Sequence, residues 1–237
     1  MNKTNTKVTL PEGISLRSVA KVLLDAWEVG SHQWKDGPFQ LREGEDAPPP
    51  PVPRDALDLF RALDGRRVSY LLVGGVAMLT YVQGRNTKDV DLLMSAAAME
   101  QLPELEIKNR SDWFVRAKFR TVQVDLLLTS NPLFRKVGER FATRHHFAEL
   151  EVPAATVEGL IVLKLYALPS LYRQMDMDRV ALYENDITML LARHSPKVEP
   201  LLALVEAHIE PGDINELRKI TAECAERAKR LRERTGS

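Results

Sequence analysis

Two aspartates, Asp89 and Asp91, stand one residue apart in DVDLLM, and a third, Asp125, interrupts the apolar run TVQVDLLL. In an extended segment side chains alternate between faces. Asp89 and Asp91 therefore project together, about 6–7 Å apart at Cα, while Val90, Leu92 and Met94 turn the other way. By the same alternation Val122, Val124, Leu126 and Leu128 share one face, and Asp125 sits opposite with Gln123 and Leu127. Adjacent carboxylates repel unless a cation neutralises them. An acid in an apolar strand is costly unless it is paired or metal-bound. If the two strands are neighbours, three carboxylates meet and are expected to hold one or two divalent ions, Mg²⁺ or Mn²⁺, as phosphoryl transfer requires. The plainer alternative has Asp89 capping a turn and Asp125 pairing with an arginine.

Gly74 and Gly75 end the β-rich run VSYLLVGG, where a buried strand should pass into a helix starting near Val76. Lacking Cβ, they permit a tight turn and a close ligand, and a helix start offers N–H groups to a phosphate. A purely structural turn is the alternative. The segment is neither a Walker A loop nor GxGxxG. Lys164, in VEGLIVLKLYAL, has Leu160, Ile161, Ala167 and Leu168 at helical offsets, and Asp186 has Leu182, Tyr183, Met189 and Leu190. Both charges fall on faces that should be buried, and buried charges need partners. The economical solution is that they face each other across two packed helices near the catalytic strand ends. A structural ion pair without a catalytic role satisfies the same constraint.

The elements around these residues are legible in outline. LRSVAKVLLDAWE has helical apolar spacing, GPFQLREGEDAPPPPVPRD has the composition of a linker or arm, and DALDLFRALDG reads as a helix ended by Gly65. VAMLTYVQG is a helix closed by Gly84, DVDLLMS a strand, AAMEQLPEL a short helix or turn, and DWFVRAKFRTVQVDLLLTS a hairpin or two strands. After about residue 151 four helical patterns follow. The last starts at Asp213 and Glu216, spaced like a capping box, and carries Leu217, Ile220, Cys224, Ala228 and Leu231 as one apolar seam. This order implies an α+β chain with a mixed sheet. It divides into an arm over 1–53, an α/β core over 54–150 and a helical part over 151–237.

At 237 residues, 44% apolar and 28% charged, the chain suits a soluble protein of one large domain or two small ones. The single cysteine, Cys224, precludes an internal disulfide and fits a reducing cytoplasm. No secretory core or membrane-spanning run is present in the sequence, so no membrane partner is expected. Net charge is zero and names no partner. Between residues 107 and 146, however, Lys108, Arg110, Arg116, Lys118, Arg120, Arg135, Lys136, Arg140 and Arg144 outnumber Asp112, Asp125 and Glu139. That excess is either a solvated face or a patch that receives phosphates. His145 and His146 fit surface or nucleic-acid contacts better than metal ligands. Arg173 fits the surface better than a phosphate contact. Trp27, Trp34 and Trp113 are most simply core or arm-docking residues.

The run GGVAMLTYVQGRNTKDVD, with a carboxylate on a later strand, resembles the nucleotidyltransferase superfamily with the DNA polymerase β-like core. It is most similar to the branch of minimal nucleotidyltransferases and type IV abortive-infection toxins, whose Arg-x-Thr-x-Asp-x-Asp motif is matched by Arg85, Thr87, Asp89 and Asp91. The resemblance spans about residues 66–195. It implies transfer of an NMP from an NTP to a hydroxyl of an RNA such as tRNA, a protein or a small molecule, within a toxin–antitoxin or phage-defence system. It further implies that Asp89, Asp91 and Asp125 hold Mg²⁺ or Mn²⁺, that Gly74, Gly75, Arg85 and Thr87 serve the substrate, that Lys164 contacts phosphates and that Asp186 positions substrate or lysine. Many members carry Ser where this chain has Gly75. Two other outcomes remain open: a non-catalytic, antitoxin-like partner with this fold, or an RNA-binding module acting through residues 107–146.

Overall fold

The computed structural model describes residues 51–82, 87, 89–147 and 150–235. The helical pattern at LRSVAKVLLDAWE, the proline-rich stretch before residue 51, Trp27, Trp34, Gly84 and Arg85 lie outside these residues.

Helix α1 (Pro51–Gly65) opens the described chain, with prolines in the first turn, where an N–H is dispensable. It is followed by β1 (Tyr70–Val73), the short α2 (Gly74–Met78), β2 (Asp89–Met94), α3 (Ala96–Met99), β3 (Leu105–Arg110), β4 (Phe114–Phe119) and β5 (Val122–Leu128). Then come α4 (Pro132–Arg140), β6 (Ala142–Phe147), β7 (Leu150–Ala155), and the helices α5 (Val157–Arg173), α6 (Met177–His194), α7 (Glu199–Glu206) and α8 (Asp213–Thr235). The strands form one mixed sheet in the order β3-β4-β5-β2-β1-β7-β6. The α+β class with a helical C-terminal part is what the sequence pattern predicts.

The sheet's centre decides the site. β2 runs parallel to β5 with Asp91 opposite Asp125, and antiparallel to β1 with Asp91 opposite Val73. Val90, Leu92 and Met94 on β2 and Val122, Val124, Leu126 and Leu128 on β5 are all buried, as their alternation requires. Leu59, Phe60 and Leu63 of α1 join the same core. The helix expected over VAMLTYVQG is shorter than its pattern. At Leu79, Thr80 and Tyr81 the bonds tighten to i→i+3, and the Thr80 hydroxyl donates back to the Ala77 carbonyl at 2.7 Å. β-Branched and aromatic residues at 80–82 also hold a helix poorly.

Strands β6 and β7 were not expected. β6 is an edge strand of polar sequence, and β7 contains Pro153, which usually argues against a strand. β7 meets β1 in parallel where Ala154 pairs with Leu72. It begins at residue 150, where the α/β core was expected to end. In the helical part Leu217, Ile220, Cys224 and Ala228 are buried, while Leu231 is 37% exposed at the end of the seam. Asp213 does not behave as a capping box. Its carboxylate accepts from Arg173 at 3.0 and 2.9 Å and ties the start of α8 to the end of α5. No helix among the described residues is long and apolar enough to cross a membrane.

Asp55 anchors the β4–β5 hairpin to α1. Its carboxylate accepts from the Thr121 N–H at 3.2 Å, from the Thr121 hydroxyl and from Arg120. Burial disfavours its charge, but these donors outweigh burial and hold the carboxyl below its ordinary value. Asp55→Asn is expected to cost about 1–3 kcal/mol in urea unfolding at neutral pH. Because the folded protein lowers this pKa, that advantage is complete above the unfolded value of about 3.9 and fades as pH falls below it. A difference between the two proteins that stays constant down to pH 2 would contradict this role.

Candidate active site

Parallel, in-register pairing of β2 and β5 places Asp89, Asp91 and Asp125 on one face of the sheet. One oxygen of each lies within 4.8 Å of the others, and all three residues are partly buried. Burial, then the charges of Asp89 and Asp125, push the Asp91 carboxyl up to about 7; the Gly75 N–H and the Lys164 ammonium act in the opposite direction. The Gly75 N–H donates to Asp91 Oδ2 at 3.2 Å. Gly74 has φ 62°, and a Cβ there would lie 1.9 Å from the same oxygen. The glycine pair therefore seats Asp91. With α2 only five residues long, the expected phosphate site at a helix start has little support.

Of the plainer alternative, the arginine partner of Asp125 is present; Asp89 opens β2, where its described partner is a side-chain hydroxyl. The hydroxyl of buried Thr87 donates to Asp89 Oδ1 at 3.0 Å. Arg116 Nε and Nη2 donate to Asp125 Oδ1 and Oδ2 at 3.1 and 3.2 Å. A carboxylate cluster and a guanidinium thus share Asp125. Sequence alternation contained the clue, since FVRAKF puts Arg116 on the hairpin face that carries Asp125, but its partner depends on the register of β4 with β5.

The Lys164 ammonium donates to Asp186 Oδ2 at 2.6 Å, with both side chains about 95% buried or more, and it lies 4.4 Å from the centre of the Tyr183 ring. The pairing inferred from helical spacing is present. The face around Asp186 is less closed than that spacing predicts, because Leu182 is 41% exposed.

Other expectations change. His145 is not on the surface: it is buried, and its Nε2 lies 2.9 Å from the Tyr81 hydroxyl, which also donates to the Ala155 carbonyl. The side chain of His146 lies outside the described residues. Trp113 is 44% exposed. Five of the nine cations of residues 107–146 have separate partners: Arg116 on Asp125, Arg120 on Asp55 and Asp58, Lys108 on Glu106, Arg144 on Glu151, and Lys136 beside His208. Buried Asn131 caps α4 and donates to the Tyr166 hydroxyl at 3.0 Å; the Asn-Pro step at a helix start signals the cap, while the Tyr166 contact depends on packing against α5.

Two outcomes follow from this geometry. A folded-state pKa raised above the unfolded one means that protonated Asp91 is favoured by folding between about pH 4 and 7. In EDTA, Asp91→Asn should gain stability relative to the parent protein as pH rises through that window, measured by thermal melting. A gap that does not change with pH would refute the burial of charge at Asp91. At the second centre, Lys164→Met or Asp186→Leu alone should cost about 3–5 kcal/mol, and the double change should recover much of the loss, because no stranded ion remains. Additive losses in denaturant melts would mean that the two residues do not act as a pair.

No family model and no curated protein matches the sequence. Comparison of structures does find likenesses. One is an antigenic nucleotidyltransferase-like protein from Paracoccidioides brasiliensis, with TM-score 0.51 and 16% identity over 74% of this chain and 91% of that one. Another is ANT(2'')-Ia in complex with adenylyl-2''-tobramycin, with TM-score 0.47 and 13% identity over 65% of this chain and 96% of that one. At 16% identity the first likeness concerns the backbone alone, and what it establishes is that this chain has the nucleotidyltransferase fold.

Proposed function

We propose that the chain is a metal-dependent nucleotidyltransferase that moves an NMP from an NTP to a hydroxyl group. The observation that carries this reading is the convergence of Asp89, Asp91 and Asp125 on one sheet face of a nucleotidyltransferase fold. The donor set fits a divalent ion of the Mg²⁺ or Mn²⁺ type: three hard carboxylate oxygens, close enough to share an ion and too close to be ionised together without compensation. When bound, such an ion offsets negative charge on the phosphates and on the attacking and leaving oxygens.

The chain's own residues supply the rest. Gly74 and Gly75 keep Asp91 in place: Gly74 has no Cβ to strike its carboxylate, and the Gly75 N–H donates to it. Thr87 orients Asp89. Arg85, outside the described residues, keeps the phosphate role that its motif implies. Lys164 is committed to Asp186, so its contribution is a fixed positive potential at the acid cluster, and Asp186 holds it there. The acceptor oxygen attacks the α-phosphorus, a new P–O bond forms, the bond from that phosphorus to the bridging oxygen breaks, and pyrophosphate leaves. The acceptor's proton passes to Asp125 as general base. The acceptor is an RNA, a protein or a small molecule. A cytoplasmic toxin–antitoxin or phage-defence setting is supported by the motif resemblance alone.

The test is incubation with each α-labelled NTP and Mg²⁺ or Mn²⁺, in the presence of tRNA, total RNA or lysate protein. Label should move to one class of acceptor, and Asp89→Ala or Asp91→Ala should reduce transfer at least about 100-fold while the fold persists. Full transfer by either variant would remove these acids from the site. NTP binding without turnover would favour the non-catalytic partner.

A further inference from the structure

Asp125 has two claimants. It contributes an oxygen to the three-carboxylate cluster, and both of its oxygens accept from the Arg116 guanidinium. The fork is placed by the sheet rather than by a loop, because β4 and β5 pair with Arg116 directly opposite Asp125. The Arg116 side chain is 49% exposed against 22% for Asp125, so the guanidinium covers the acid from the solvent side. Gln123 Nε2 reaches the same Asp125 oxygen only at 3.5 Å. Arg116 also feels the charges of Asp89 and Asp91.

A guanidinium is permanently charged and matches a carboxylate in shape. A divalent ion drawn to the cluster needs the charge that Arg116 already partly neutralises, and meets a fixed positive charge at close range. We propose that Arg116 is a built-in competitor of the metal, setting the cluster's affinity for divalent cations through its hold on Asp125. This inference rests on the proposed metal site. It makes Arg116 a positioning residue: it holds both oxygens of Asp125 in one orientation, and it has to yield ground as a cation enters. The Arg116 side chain is half-exposed, so it has room to swing away without disturbing the core.

The experiment is a Mn²⁺ titration of the full chain read by electron paramagnetic resonance, with the fold of each variant checked by circular dichroism. Arg116→Gln should bind Mn²⁺ about tenfold more tightly, because the like charge is gone. Arg116→Lys keeps the charge and should stay within about threefold of the parent. Lys118→Gln, which removes a charge on the same strand face two residues away, should have a much smaller effect than Arg116→Gln. Asp91→Asn should abolish binding in every background. Equal or weaker Mn²⁺ binding by Arg116→Gln, with binding still dependent on Asp91, overturns the role of Arg116 and leaves the metal site standing. No Mn²⁺ binding by any of the proteins, Arg116→Gln included, overturns both.

Discussion

Mutual repulsion of three carboxylates is the constraint around which this molecule is arranged. Hydrophobic burial of Val90, Leu92, Val124 and Leu126 forces β2 and β5 together, and the two-residue period then sends Asp89, Asp91 and Asp125 to the same side. The core cannot close without assembling the acids. Each acid has its own compensation: a Thr87 hydroxyl for Asp89, the Gly75 N–H for Asp91, the Arg116 fork for Asp125. None of these neutralises the set, as the raised Asp91 pKa shows. The residual negative potential is what a cation would respond to.

The helical part contributes to the same balance from a distance. Lys164 and Asp186 lock α5 to α6 through a buried pair, an arrangement that brings little net stability compared with apolar packing but is costly to break. Its positive member lowers the cost of ionising Asp91. One ion pair therefore joins two helices and adds a small positive contribution at the acid cluster, where burial and the neighbouring carboxylates dominate. α8 closes over this arrangement with an apolar seam and the Arg173–Asp213 tie.

Features that repeat with a short period were legible in the sequence. Alternation assigned the three acids and the β4–β5 hairpin, and the i±3/i±4 spacing brought Lys164 and Asp186 together. What was not legible depends on register between distant segments. Gly74 seats Asp91 only because β1 pairs antiparallel with β2, bringing Val73 opposite Asp91. Arg116 looked like part of a basic stretch until β4 was set against β5. His145 looked exposed because its partner, Tyr81, lies far away in sequence. Strand β7 carries Pro153, a residue that counts against a strand, yet it pairs with β6 along its whole length and meets β1 at Ala154.

The parallel join of β2 to β5 also shapes the route by which the chain folds. Parallel neighbours cannot be linked by a tight turn; here the β3–β4 excursion must form or be bridged before residue 91 can meet residue 125. Such non-local closure is entropically late and slow. Here that closure also brings Asp91 against Asp125, so the join is made against like charge, a repulsion that protonation of Asp91 relieves.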